Sequence, residues 1–138
     1  MKNFHVLFVL FYFICGNSLA QTNPVEKSIC MYLKKVERQS KIDTLYVMYE
    51  NDRLLKYKIP KIRKIIIKEC GYAPSNRMFI SLNLEEMGNN ARVIVIEKVT
   101  TFNEKNGELD IFTSGALNVN FGLKKGKWKY LSNAIQNI

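Results

Sequence analysis

Between residues 23 and 38 the apolar positions fall on a single stripe. Val25, Ile29, Tyr32, Leu33 and Val36 recur at the three- and four-residue steps of a helix, with Lys34, Lys35, Glu37 and Arg38 on the opposite side. Asn23-Pro24 supplies the start, because asparagine caps, proline suits the first helical position and Glu26 falls in the first turn. Past residue 41 the period shortens. Ile42 to Tyr49, rich in β-branched and aromatic residues, predicts a strand, Glu50-Asn51-Asp52 a turn, and Leu54 to Ile59 a second strand returning from it. Residues 60 to 70 support two readings. Pro60 ahead of Ile62, Ile65, Ile66 and Cys70 suits a short helix, and the run Ile65-Ile66-Ile67 suits a strand equally well.

From residue 78 the chain alternates. Met78, Ile80, Leu82 and Leu84 share one face of a strand, Arg92 to Phe102 forms a long one, and Leu109 to Leu123 sets Leu117, Val119, Phe121 and Leu123 on one side. Trp128 to Leu131 closes the series. Gly88-Asn89-Asn90, Asn106-Gly107 and Lys124 to Gly126 supply the turns, and Gly115 predicts a bulge or bend. One helix followed by an antiparallel meander of four to six strands implies an α+β domain, with a curved sheet wrapped around the helix.

The first 20 residues have a different character. Lys2, the apolar run Phe4 to Ile14 and the small residues of Ser18-Leu19-Ala20 form the three parts of a secretory signal peptide, cut after Ala20. The run is shorter than the roughly 20 residues that span a bilayer. A retained anchor is the alternative. Lipid attachment at Cys15 is a third reading, opposed by the large Ile14 before it. The expectation is an exported protein, periplasmic or secreted, with residues 21–138 as a single domain and no transmembrane segment in the mature chain. His5, the single histidine, would leave with the leader. A mature chain without imidazole excludes Ser-His-Asp and Cys-His catalysis and histidine metal ligation. No glycine-rich phosphate loop, nucleophile elbow, paired CxxC or acidic calcium loop occurs, so no catalytic residue, cofactor or metal is assigned.

Export makes Cys30 and Cys70 readable as a disulfide, with two separate packing thiols as the alternative. The net charge of +9 falls to +8 without Lys2, and the excess is clustered. Arg53 to Lys68, including Lys61, Arg63 and Lys64, carries no acid, and Lys124, Lys125, Lys127 and Lys129 surround Trp128. Such clusters attract an anionic polymer, lipid headgroups or an acidic protein. Lysine outnumbers arginine 16 to 5, which argues against bidentate phosphate readout, and no specific nucleic acid is expected. Lys, Asn and Ile together make 44 of 138 residues, so an A/T-rich coding bias explains the same charge without a partner. If Trp128 and Tyr130 point inward, Lys127, Lys129 and Leu131 share the opposite, basic face.

The helix-then-meander order, closing on GELDIFTSGALNVNFGLKKGKWKYL, resembles small exported bacterial proteins and is similar to the cystatin-like rolls that include nuclear-transport-factor-2-like domains. The resemblance spans roughly residues 23 to 133 and implies a curved sheet with a cone-shaped concavity. Three functional expectations follow. The first is a non-enzymatic exported binding or accessory domain with its basic face toward an anionic surface or acidic partner. The second is a roll-type enzyme or ligand carrier with a pocket lined by Tyr46, Tyr49, Ile94, Asp110 and Phe112. The third is an inhibitor or immunity protein. A concavity filled by side chains favours the first, and an open one with a buried carboxylate favours the second.

Overall fold

Asn23 begins the folded chain as a cap. Its Oδ1 accepts the backbone N–H groups of Val25 and Glu26 at 3.0 and 3.2 Å, two donors that a helix start would otherwise leave unpaired. Helix α1 (Pro24–Val36) follows and buries the expected stripe of Val25, Ile29, Tyr32, Leu33 and Val36. Ser28 is buried with them and returns its hydroxyl to the Pro24 carbonyl at 2.7 Å. The computed structural model describes residues 23–36, 41–57, 62 and 65–136, so the expected leader and Lys61, Arg63 and Lys64 lie outside the described residues.

Six strands follow: β1 (Thr44–Tyr49), β2 (Ile66–Cys70), β3 (Met78–Met87), β4 (Asn90–Asn103), β5 (Glu108–Lys124) and β6 (Lys127–Gln136). They form one sheet in the order β2-β1-β3-β4-β5-β6, and the class is α+β. Strands β3 to β6 are the antiparallel meander read from the alternation. The first two strands depart from it. β1 runs parallel to both β2 and β3. A strand with parallel partners on both sides has no place for a hairpin return, and each link must leave the sheet to come back in the same direction. The second strand expected over Leu54 to Ile59 is therefore replaced at its start by a 3-10 helix, Asp52–Lys56, anchored by the fully buried Leu54. The ambiguity over residues 60 to 70 resolves to strand at Ile66–Cys70.

The second link, residues 71–77, is tied to β4. The Thr100 hydroxyl bonds the carbonyls of Pro74 and Arg77, and the Phe102 N–H reaches Asn76 Oδ1 at 2.7 Å. At the end of β1, Lys98 Nζ binds Glu50 Oε1 at 2.8 Å. Burial pushes the Glu50 carboxyl up, but the Lys98 ammonium, through its hydrogen bond and its charge, outweighs it and holds the group below its ordinary value.

One face of the sheet packs on α1. Leu45 and Val47, Ile80, Leu82 and Leu84, Val93 and Val95, and Leu117, Val119 and Phe121 meet the helix stripe and Leu54 in one core. The register sets Val93 between Leu84 and Val119, and Val95 between Leu82 and Leu117. Fully burying a side chain of this size is worth about 1.5–3 kcal/mol, so this layer is the main source of stability. The expected irregularity at Gly115 is present. Glu97 pairs with Gly115 and Lys98 with Thr113, leaving Ser114 as the extra residue of a bulge. Met78 at the start of β3 pairs with Val99, so the β4–β5 ribbon past that point continues as two strands. It exposes Val99, Phe102, Ile111 and Phe112.

Candidate functional site

The β5–β6 hairpin gathers four of the predicted binding lysines. Lys125 and Gly126 form its two-residue turn at φ 53° and 72°, the left-handed conformation that matches the twist of the strands. Lys124 pairs directly with Lys127, Leu123 with Trp128, and Gly122 with Lys129. Alternation then divides the hairpin into two faces. Trp128 packs against the core, and the Tyr130 ring meets Phe121 edge-on at 6.5 Å and 75°. Lys27 of α1 sits 5.5 Å above the Tyr130 ring. Trp128 thus supports the hairpin from the core side.

Lys124, Lys127, Lys129 and Leu131 share the other face; the last three are the set that an inward Trp128 and Tyr130 would place there. Leu131 is the extra residue of a second bulge, between Tyr130 paired with Phe121 and Ser132 paired with Asn120. Its side chain covers Gly122, with Cδ1 3.3 Å from where a Cβ would stand. All four lysines are exposed, and none has an ion-pair partner among the described residues. Two like charges directly across an antiparallel pair are unfavourable, so nothing in the fold itself rewards Lys124 opposite Lys127.

The other basic cluster lies elsewhere. Among its described members, Lys56 is paired with Glu86 at 2.7 Å, and Lys68 lies 5.8 Å over the Tyr46 ring. Arg77 approaches the same ring at 5.1 Å and donates to the Tyr46 hydroxyl at 3.0 Å. Lys68 on β2 and Lys129 on β6 belong to opposite edges of the sheet, with four strands between them. The described parts of the two clusters do not make one continuous face.

No protein-family model, curated protein or solved structure matches the chain. The site is therefore read from its geometry alone.

The five residues expected to line a pocket are dispersed. Tyr46 lies on the sheet face away from α1, held between Lys68 and Arg77. Tyr49 is on the helix side at the end of β1. Ile94 lies on the outer face, between Asn83 and Asn118. Asp110 pairs with Thr101 and Phe112 with Val99 on the projecting ribbon. The face beneath the helix is occupied by side chains, Val47, Ile80, Leu82, Val93, Val119 and Phe121 all being fully buried.

Cys30 and Cys70 are both free thiols, which corrects the expected disulfide. The physical reason is placement: α1 lies over β4 and β5, whereas Cys70 ends β2 at the edge beyond β3 and β1. Burial, and then the Glu26 charge, push the Cys30 thiol up from its ordinary pKa, so it favours the unreactive protonated form.

Two arrangements were missed from sequence. Glu97 accepts the Tyr32 hydroxyl at 2.6 Å and the Ser114 hydroxyl from the bulge. Burial and the bond to Glu97 raise the Tyr32 pKa far above its ordinary value, keeping it a neutral donor. The available signal was an acid in phase with Val93, Val95 and Val99. The second arrangement is a half-open cleft of about 400 Å³ where β1 and β2 end, lined by Tyr49, Asn51, Asp52, Leu55, Glu69, Cys70 and Gly71. Among the described residues no group of three or more His, Cys, Asp and Glu side chains is placed to hold a metal, and no helix is long and apolar enough to cross a membrane.

Proposed function

We propose that this chain is an exported, non-enzymatic binding or accessory domain that meets an anionic surface or acidic partner through the β5–β6 hairpin. The observation that carries the reading is the set of four exposed lysines without an ion-pair partner among the described residues, three of them on one face beside Leu131. Lys56 and Lys98, by contrast, are matched to acids. The filled helix side of the sheet favours a surface reader over a roll enzyme with a central pocket. The domain is a variant of the cystatin-like roll in which β1 and β2 join the meander in parallel. An inhibitor or immunity protein would use the same face against an acidic exported target.

A second reading has its own support. β6 is an edge strand, and lysines on an edge discourage pairing with another sheet. One experiment separates the two. Co-sedimentation with anionic vesicles and binding to an acidic polysaccharide are measured for the parent and for a variant with Lys124, Lys125, Lys127 and Lys129 replaced by Gln. Partner binding predicts affinity that falls steeply as salt approaches ~0.15 M, where screening acts beyond about 8 Å, and that is largely lost in the variant. Edge protection alone predicts no salt-sensitive binding in the parent and self-association of the variant.

A further inference from the structure

Helix α1 has a direction with respect to the lysine hairpin. Near its start, Lys27 lies over the ring of Tyr130, which pairs with Phe121 close to the β5–β6 turn. Further along, Tyr32 reaches Glu97, and Lys35 Nζ stands 3.9 Å from where a Cβ on Gly115 would be. Glu97 and Gly115 are paired with each other, well away from that turn. The helix therefore runs antiparallel to β5 and begins at the hairpin end. Whatever precedes Asn23 joins the domain there, and in this sequence that includes the apolar run Phe4 to Ile14.

Exposed apolar side chains accompany the lysines at that end. The Leu123 N–H donates to the Asn89 carbonyl at 2.6 Å, which sets the β3–β4 turn beside the β5–β6 turn. Met87, Leu123 and Leu131, on the flanks of these two turns, are 56, 38 and 59% exposed. The acids that close β3, Glu85 and Glu86, are matched by Arg92 at 3.6 Å and Lys56 at 2.7 Å, and Glu26 in the first turn of α1 is followed by Lys27. The other end of β5, on the order of 50 Å away along the strand, also exposes apolar side chains. There, however, Phe102, Ile111 and Phe112 stand with Glu104, Glu108 and Asp110 against Lys105. Anionic lipid repels that end and attracts the hairpin end.

We infer that the hairpin end docks on an anionic lipid bilayer. Lys124, Lys125, Lys127 and Lys129 meet the headgroups, Met87, Leu123 and Leu131 enter the interface beside them, and the N-terminal segment joins the domain on the bilayer side. This rests on the reading of the hairpin as a surface reader and narrows its partner to lipid. Cations supply attraction over a screening length, and apolar side chains add insertion at contact. Their coincidence at one end fixes the orientation of the domain.

Trp128, the single tryptophan, sits in the hairpin and reports docking directly. The purified full chain is mixed with vesicles of phosphatidylcholine and phosphatidylglycerol in equal parts, brominated in the upper acyl chain, and with brominated phosphatidylcholine alone. Trp128 fluorescence should be quenched on the first, released by salt, and unaffected on the second. Replacing the four lysines by Gln should lower the docked population more than about a hundredfold. Met87→Gln with Leu131→Gln should lower it roughly tenfold. All six side chains are exposed, so urea unfolding of both variants should match the parent. Heparin, an anionic polymer without an apolar layer, separates the two levels of the reading: its binding should be lost with the lysines and kept by the Met87/Leu131 variant. Heparin binding through the lysines with Trp128 unquenched on vesicles would overturn lipid docking and leave the hairpin reading standing, whereas binding to neither would overturn both. Quenching on phosphatidylcholine alone, or quenching abolished by Phe112→Gln and retained by the Met87/Leu131 variant, would also overturn the assignment.

Discussion

The two edges of this sheet are built on different terms. At the β2–β1 edge the strands are parallel, the links cross out of the sheet, and several of the described charges have counterparts: Lys56 with Glu86, Glu50 with Lys98 of β4, and Lys68 and Arg77 about one tyrosine ring. At the β5–β6 edge the connection is a two-residue turn, the strand is exposed almost throughout, and four lysines have no acid partner among the described residues. The first edge is organised around its own contacts. The second leaves charge available to something outside, and this contrast, more than the net charge of the chain, is what makes the hairpin a candidate surface.

The largest effect that can break the comparison is on stability. Leu45→Ala, in β1, should cost about 2–5 kcal/mol in urea unfolding, because it opens a cavity in the layer under α1. Ile135→Ala, 53% exposed on β6, should change stability by less than about 0.5 kcal/mol. Similar costs at the two positions would mean that β6 is covered in the free protein. Next in size is the turn. Gly126→Ala at φ 72° should destabilise the hairpin by roughly 1 kcal/mol, and it should reduce vesicle binding only if the lysines act as a preorganised set.

The pH predictions are smaller. Glu50 has a lowered folded pKa, so its contribution is complete above the ordinary carboxylate value of about 4.3 and is lost as pH falls through the folded value. Lys98→Met should flatten that acid limb. Tyr49 has the opposite sign. Its folded pKa of about 12 lies above the ordinary value near 10, so above pH ~10 the unfolded chain loses its proton first and stability falls. Tyr49→Phe should remove its share of the alkaline limb. Smallest is the lysine-to-glutamine variant in the absence of a partner, for which unfolding should stay within about 0.5 kcal/mol of the parent.

What was legible in the sequence follows the range of the interactions involved. Helix α1 was readable because a cap and an apolar stripe are local signals. So were β3 to β6, where alternation and turn residues lie within a few positions of what they specify. The parallel pairing of β1 was not readable, since Val47 meets Ile80 and Met48 meets Cys70 through links with no pattern of their own. A hairpin return after β1 would make Leu54 a strand residue, whereas it is the buried anchor of a 3-10 helix. On the hairpin, alternation alone ties the two faces together: once Trp128 and Tyr130 face the core, Lys127, Lys129 and Leu131 face the other way. The cleft was not legible, because the ends of β1 and β2 meet only through the parallel pairing.

The topology also orders events in time. Strands β3 to β6 pair with sequence neighbours across short turns, beginning with Met87 against Asn90, and closing such loops costs little entropy. β1 has to wait for β3, more than 30 residues downstream, before its second flank is occupied. The meander should therefore form the folding nucleus, with β1 and β2 docking onto a finished edge. Mutations in β4 and β5 should slow refolding, whereas those in β2 should mainly speed unfolding. A late-docking edge is also an early-opening one, and native-state hydrogen exchange should find the amides of Ile66–Cys70 released well before those of Val93 and Val95.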